Sequence, residues 1–229
     1  MKIFGRPRYW ALLTMVIATA TALYTGTDES VSAQPPQPLA ANIDELLAQV
    51  PVVDRIDHVP GYQRGCGIDK KTKERQACVF GPAWNDPNDR SGCDARNRAL
   101  SAVLKDVKYK AGTRNCKVIA GVLDPDPYTG QVVDLADINL DHIVPLRRAY
   151  DAGAWKWDLL QRRVFANDLI ELAPVSEKAN LSKSDSGLDW LPNFQPCAYV
   201  VRYLTVTAKY QLPITRKEQA IAAATCAPS

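Results

Sequence analysis

The chain has 229 residues, with 28 Lys and Arg set against 25 Asp and Glu, for a formal charge of +3. That balance excludes a protein that holds nucleic acid by bulk positive charge, so any affinity for phosphate has to come from local clusters. Only two histidines are present, which argues against the multi-histidine centres of two-metal phosphodiesterases, whereas six cysteines fit an oxidising compartment.

Lys2, Arg6 and Arg8 precede a mostly apolar stretch from Trp10 to Leu23, and Val31-Ser32-Ala33 ends it with small residues. The pattern predicts a secretory signal over residues 1–33, cleaved after Ala33. An uncleaved membrane anchor is the alternative, but an apolar run of about 14 residues falls short of the ~20 that a bilayer needs. Residues 34–42 are Pro- and Gln-rich and read as a flexible leader. Residues 43–229 read as a single domain, long enough to bury one substantial core.

Apolar residues at helical spacing predict a helix from Ile43 to Val50, ended by Pro51. Residues 51–92 carry many Gly, Pro, Asp and Asn, so loops with short strands pinned by disulfides are expected. Asp94 is placed to cap a helix to about Asp106, with Leu100, Val103, Leu104 and Val107 on one face. Lys117–Leu123 and Gln131–Leu135 alternate as strands around the turn formers of Asp124–Gly130, which predicts a β-hairpin. Ile138–Val144 continues as strand. Leu146–Ala152 is a predicted helix stopped by Gly153, Asp158–Ala166 another, Leu169–Leu172 a short strand, and Ser176 opens a further helix. Pro196 leads a helix through Tyr210, and Thr215 with Glu218 forms a capping box for Arg216–Cys226, giving a C-terminal helical hairpin. The six cysteines allow 15 connectivities. Pairing of sequence neighbours is expected: Cys66 with Cys78, Cys93 with Cys116, and Cys197 with Cys226, the last closing the open end of the hairpin. No CxxC pair occurs, so structural zinc is set aside.

The most informative residues are Asp141-His142-Ile143-Val144-Pro145-Leu146, then Phe165-Ala166-Asn167-Asp168, then Asn180-Leu181-Ser182-Lys183. Asp and Asn supply hard oxygen ligands for a Mg²⁺-type ion, which keeps several waters and takes few protein ligands. Neutral histidine accepts a proton from water near neutral pH. Adjacent strand residues face opposite ways, so Asp141 is expected on the ion and His142 on the scissile phosphate. Asn180 and Lys183, at i and i+3, share a helix face; Asn180 would complete the metal site while Lys183 reaches phosphate oxygens. Asn167 would hydrogen-bond the backbone of the loop after His142 and brace the base.

This ordered set resembles the HNH endonuclease superfamily, and in particular secreted bacterial HNH-family proteins related to the C-terminal nuclease domain of GmrSD-type restriction enzymes. The resemblance runs from about Gly81-Pro-Ala-Trp84 to Cys226. It includes Gly92-Cys93-Asp94-Ala-Arg96-Asn97, Asp126-Pro-Tyr128-Thr-Gly130, Gly153-Ala154 and Trp190-Leu-Pro192. Asp141-His142-Ile-Val-Pro and Asn180-x-x-Lys183-Ser-Asp185 are also similar to the HNH domain of CRISPR effectors. The resemblance implies a disulfide-stapled α+β fold with an HNH-type ββα-metal core. It implies Asp141 and Asn180 as ligands of Mg²⁺ or Mn²⁺, His142 as general base, Asn167 as the structural Asn, and products with 5′-phosphate ends. The substrate is then nucleic acid, DNA ahead of RNA, and no membrane contact is expected after signal cleavage. The chain departs from the family at Arg147, at Leu169 where Pro is usual, and at Ser184 where Gly is usual.

Simpler readings stand beside these. His58, in Asp57-His58-Val59-Pro60, has no Asn-x-x-Lys following at a similar distance and is assigned no role. The glycosylation sequon at Asn180-Leu181-Ser182 is taken as a chance match. Arg162 is divided evenly between phosphate contact and a solvated helix face, as is Arg147-Arg148. Lys70, Lys71, Lys73 and Arg75 form a basic loop for which solubility is the default and nucleic-acid contact the minority reading. The rival to an enzyme is an extracellular or cell-surface binding protein that keeps the nuclease fold without turnover.

Overall fold

A computed structural model describes residues 43–227; the predicted signal and leader lie outside the described residues. Helix α1 (Ile43–Gln49) lays Ile43, Leu46 and Leu47 on the main core. Strand β1 (Val52–Val53) follows, then the hairpin of β2 (Cys66–Ile68) and β3 (Arg75–Ala77), whose strands are antiparallel. A disulfide joins Cys66 to Cys78 at the base of this hairpin.

Helix α2 (Ala95–Val103) starts at Asp94, whose side chain accepts from the Asn97 amide. It stops three residues before the predicted end, because Leu104 is already extended and the chain enters β4 (Lys105–Tyr109). Val107 and Tyr109 therefore pack from a strand and not from a helix face. Strand β4 pairs with β5 (Val118–Leu123), which pairs with β6 (Val133–Asp134), all antiparallel. The buried Asn97 side chain accepts from the Val118 amide, fixing α2 to this sheet. The Cys93–Cys116 disulfide adds a covalent tie.

A turn at Leu135–Asp137 leads into β7 (Ile138–His142). Helix α3 (Leu146–Asp151) ends before Gly153, which holds φ at 137°, a conformation open to glycine at little steric cost. Asp158 and Gln161 form a capping box that opens α4 (Leu159–Asn167). Strand β8 (Leu172–Ser176) begins where the predicted strand 169–172 ends. Residues 168–171 instead form a turn on Asp168, whose carbonyl accepts from Glu171 and Leu172 and whose side chain accepts from Ile170. Pro174 is tolerated within β8 because the β7–β8 ladder has two strands and hence only edges.

Helix α5 (Glu177–Lys183) opens at Ser176, which caps the Ala179 amide. Strands β7 and β8 are antiparallel with Asp141 opposite Ala173 and His142 opposite Leu172. The result is a two-stranded ladder followed at once by a helix. Helix α6 (Pro196–Tyr210) places Tyr199, Val200, Tyr203, Leu204, Val206 and Thr207 in the core. Strand β9 (Ile214–Thr215) runs parallel to β1 and leads into α7 (Arg216–Thr225), capped by Thr215 and Glu218. The Cys197–Cys226 disulfide joins the two helices. Among the described residues no helix is long and apolar enough to cross a membrane.

Ser184, just after α5, has φ 52° and ψ −126°, a region that disfavours any residue with a Cβ. A glycine, which the resemblance leads one to expect at this position, would relieve that strain. Ser184→Gly is expected to raise the unfolding free energy by about 1 kcal/mol, part of the relieved strain being offset by glycine's larger unfolded-state entropy. Urea denaturation checks it; a loss of stability would mean the local conformation is not strained.

Candidate active site

The end of β7 delivers two buried polar side chains to different surroundings. Asp141 faces α5 and the 126–130 turn. The Lys183 ammonium lies 2.9 Å from each Asp141 carboxylate oxygen and 2.7 Å from the His142 carbonyl, and the Tyr128 hydroxyl donates to Asp141 Oδ2. Burial pushes the Asp141 pKa above the ordinary carboxylate value, and the Lys183 charge opposes that shift. Tyr128 is pushed far up by burial and by the Asp141 charge, so it stays a protonated donor.

His142 lies on the other side. Its Nε2 is 3.0 Å from the Ala166 carbonyl of α4, and its ring stacks on Trp84 at 5.9 Å between centroids and 8° between planes. A carbonyl accepts only, so Nε2 carries the proton and Nδ1 keeps its lone pair; this tautomer is inferred from the contact. Burial, then the Arg64 charge, lower the His142 pKa to about 3. The imidazole is neutral at any ordinary pH.

Asn180 is half-buried and makes no side-chain hydrogen bond among the described residues. It lines a cleft of about 500 Å³ together with Asp141, His142, Arg64, Arg147 and Asp185. His142 also closes a second cavity of about 280 Å³, lined by Arg64, Phe80, Trp84, Ala166 and Asn167. Three sequence-selected residues thus share one cleft, and His142 stands between two cavities.

The other selected residues sit elsewhere. Lys183, assigned to phosphate, is wholly buried: its ammonium satisfies Asp141 and a carbonyl and does not line the cleft. Arg162 also departs from a phosphate role, since Nη1 donates to the carbonyls of Ala154, Trp155 and Trp157. Asn167 does not bond the loop after His142; its Nδ2 donates to Arg163 and Asn85 carbonyls, 2.8 and 3.4 Å away. It thereby ties α4, which carries the Ala166 acceptor, to the loop that carries Trp84, and its buried Oδ1 has no partner among the described residues. Neither Arg147 nor Arg148 is a solvated cation. Arg147 pairs with Asp151 and lies 5.0 Å from the Tyr62 ring, and Arg148 pairs with the buried Glu218. His58 is exposed beside Asp151.

Sequence reasoning missed three contributors. Tyr128 and Trp84 stood inside quoted motifs but received no role. Arg64 carried no signal at all.

Among the described residues no group of three or more His, Cys, Asp or Glu is gathered for a metal. A Mg²⁺-type ion needs less: one carboxylate, one amide oxygen and waters suffice, and Asp141 and Asn180 on the same cleft fit that donor set.

Residues 94–224 match the family described as GmrSD restriction endonucleases, C-terminal domain. The chain belongs to this family. The family description names restriction endonucleases. The chain is also 37% identical over 99 residues to an uncharacterized secreted protein of Arthroderma benhamiae, covering 41% of this chain and 48% of that one. It thus spans about half the length of that curated relative. No solved structure matches.

The Lys183 geometry gives a test that separates structure from substrate contact. Lys183→Met strands a buried carboxylate and should lower stability by about 3–5 kcal/mol, with partial recovery when Asp141→Asn is added. Urea unfolding of the single and double variants measures both. Unchanged stability with weakened substrate binding would put Lys183 back on phosphate.

Proposed function

We propose that this chain is a secreted, metal-dependent endonuclease of the HNH type that hydrolyses phosphodiester bonds, with DNA ahead of RNA as substrate. The observation that carries the reading is the convergence of Asp141, His142 and Asn180 on one cleft, at the end of an antiparallel pair of strands and the helix that follows it. Restriction endonucleases are named in the family description, which supports DNA. The name of the Arthroderma benhamiae relative and three disulfides support secretion, with residues 1–33 as a cleaved signal, 34–42 as a leader and 43–229 as one HNH-type domain.

In this reading Asp141 and Asn180 hold one Mg²⁺ or Mn²⁺ ion. When bound, the ion supplies Lewis-acid polarisation of a phosphate oxygen and stabilisation of the leaving oxygen. His142 Nδ1 takes a proton from the attacking water, and the Ala166 carbonyl and the Trp84 ring fix the imidazole plane in which that lone pair points. A base with a pKa near 3 is weak. Entry of an anionic phosphodiester beside it favours the protonated form and moves the value upward. Lys183 acts as a positioning residue through Asp141, and Asn167 as one through the Trp84 loop.

Purified full-length protein should nick plasmid DNA with Mg²⁺ or Mn²⁺ and lose that activity in EDTA. His142→Ala should lower turnover by about 10²–10⁴-fold with DNA binding retained. Normal turnover in that variant removes His142 as the base, and no metal-dependent cleavage by the wild type favours the binding-protein alternative.

Asn180→Ala should shift the metal titration for cleavage to higher concentration while maximal turnover at saturating Mn²⁺ is partly restored. An unchanged Mg²⁺ titration would argue against ligation by Asn180.

A further inference from the structure

The hairpin of β2 and β3 lies before the residues that match the family, yet it reaches the cleft. Arg64 sits at its base and lines both cavities that meet at His142. The side chain is exposed and forms no hydrogen bond or ion pair among the described residues. Its backbone, by contrast, is tightly framed. The Gln63 carbonyl accepts from Val79 and the Gly65 carbonyl from Cys78, the Gln63 side chain accepts from Ala77, and the Cys66–Cys78 disulfide closes the frame two residues away. An uncommitted guanidinium on a fixed backbone, lining the cleft beside the His142 imidazole, is an anion site. At the far end of the same hairpin Lys70, Lys71, Lys73 and Arg75 are all exposed. With Asp69 and Glu74 in the same turn they leave a net positive charge at that end of the hairpin, which a polyanion longer than one phosphate could use.

We infer that the disulfide-locked hairpin is a substrate arm, in which Arg64 binds a backbone phosphate of the nucleic acid beside the scissile linkage. This inference rests on the nuclease reading of the same cleft. Arg64 touches substrate but neither moves a proton nor holds the ion. Its contribution is affinity and register, and the staple matters because it holds that one side chain over the cleft.

The test is binding of a fluorescent duplex DNA oligonucleotide by the full-length protein in EDTA across a salt series, with plasmid cleavage in Mg²⁺ measured in parallel. Arg64→Gln should weaken binding about tenfold and make the dependence of log affinity on log salt shallower by about one unit. It should raise KM more than it lowers kcat. Arg64→Lys, which keeps the charge, should keep the salt slope. The Cys66→Ser/Cys78→Ser pair should reproduce the Arg64→Gln loss, and adding Arg64→Gln to that pair should change little more. Unchanged affinity and slope in Arg64→Gln, or a lowered melting temperature with an unchanged slope, overturns the inference. Fully additive losses overturn the role of the staple. If the wild type cleaves and Arg64→Gln equals it, only this inference fails; if the wild type neither binds nor cleaves, the nuclease reading fails with it.

Discussion

The buried ammonium of Lys183 is where strand and helix are joined. It contacts both oxygens of Asp141 and the carbonyl of His142, so one α5 side chain fixes the position of both cleft residues of β7. A buried ion pair is seldom a net source of stability, because desolvation consumes most of the Coulomb gain. Its value here is specificity of placement. With Tyr128 on the remaining side of the carboxylate, Asp141 has little rotational freedom left. The carboxylate is also largely neutralised by Lys183 before any ion arrives. If Asp141 takes the proposed role of ligand, such a site would hold a cation weakly in the absence of an anionic substrate, and the phosphate itself would strengthen the binding.

His142 is organised by a different set of elements. The Ala166 carbonyl comes from α4 and the Trp84 ring from the loop before α2. Asn167 links those two elements through Arg163 and Asn85. Two independent scaffolds thus meet across a single peptide bond, one orienting the carboxylate and one the imidazole. The alternation of a β-strand makes this possible, since neighbouring side chains leave on opposite faces. Strand β7 needs its pairing with β8 to hold that alternation, and the pairing runs from Ile138 to His142 without interruption.

Where local chemistry decided the structure, the sequence was legible. Asp94 and Thr215 were legible as caps and Asp158 and Ser176 as helix starts; in the structure each is a side chain satisfying amides within its own turn. The tract 105–109 was misread because Val107 fits a helical face as well as an alternating strand, and only pairing with β5 decides between them. Strand β8 lies later than the predicted 169–172 because Asp168 gathers the amides of Ile170, Glu171 and Leu172 into a turn. In the cleft, the residue types singled out Asp141, His142 and Asn180, which the fold brings to one cleft. The direction of Lys183 was not legible, since a lysine three residues after a proposed ligand is equally compatible with solvent, phosphate or a buried acid. Arg64 was invisible for another reason: its proximity to His142 is created by a disulfide and a turn some eighty residues upstream, which no local pattern encodes.

The rival reading, a binding protein on a nuclease scaffold, drew on the departures from the family pattern, and their locations weigh against it. Arg147 is held by Asp151, the Val59 carbonyl and the Tyr62 ring, so it forms part of the cleft wall and its charge is already matched. Leu169 sits in the turn on Asp168, on the side where Arg202 gathers the carbonyls of Leu169, Ile170 and Leu172, and it lines neither cavity at His142. Ser184 accepts a strained backbone and leaves Asn180 facing the cleft. None of the three stands at a proposed ligand or at the proposed base. A scaffold that had given up turnover would be free to lose the costly parts first, and the costliest are the buried Lys183–Asp141 pair and the buried neutral His142. Both are present, as is the Trp84 ring, which stacks on the imidazole and also packs against Ala95, Ala99 and Leu172. The retained expense lies where the proposed hydrolysis would need it, which is the physical argument that favours that proposal over a binder.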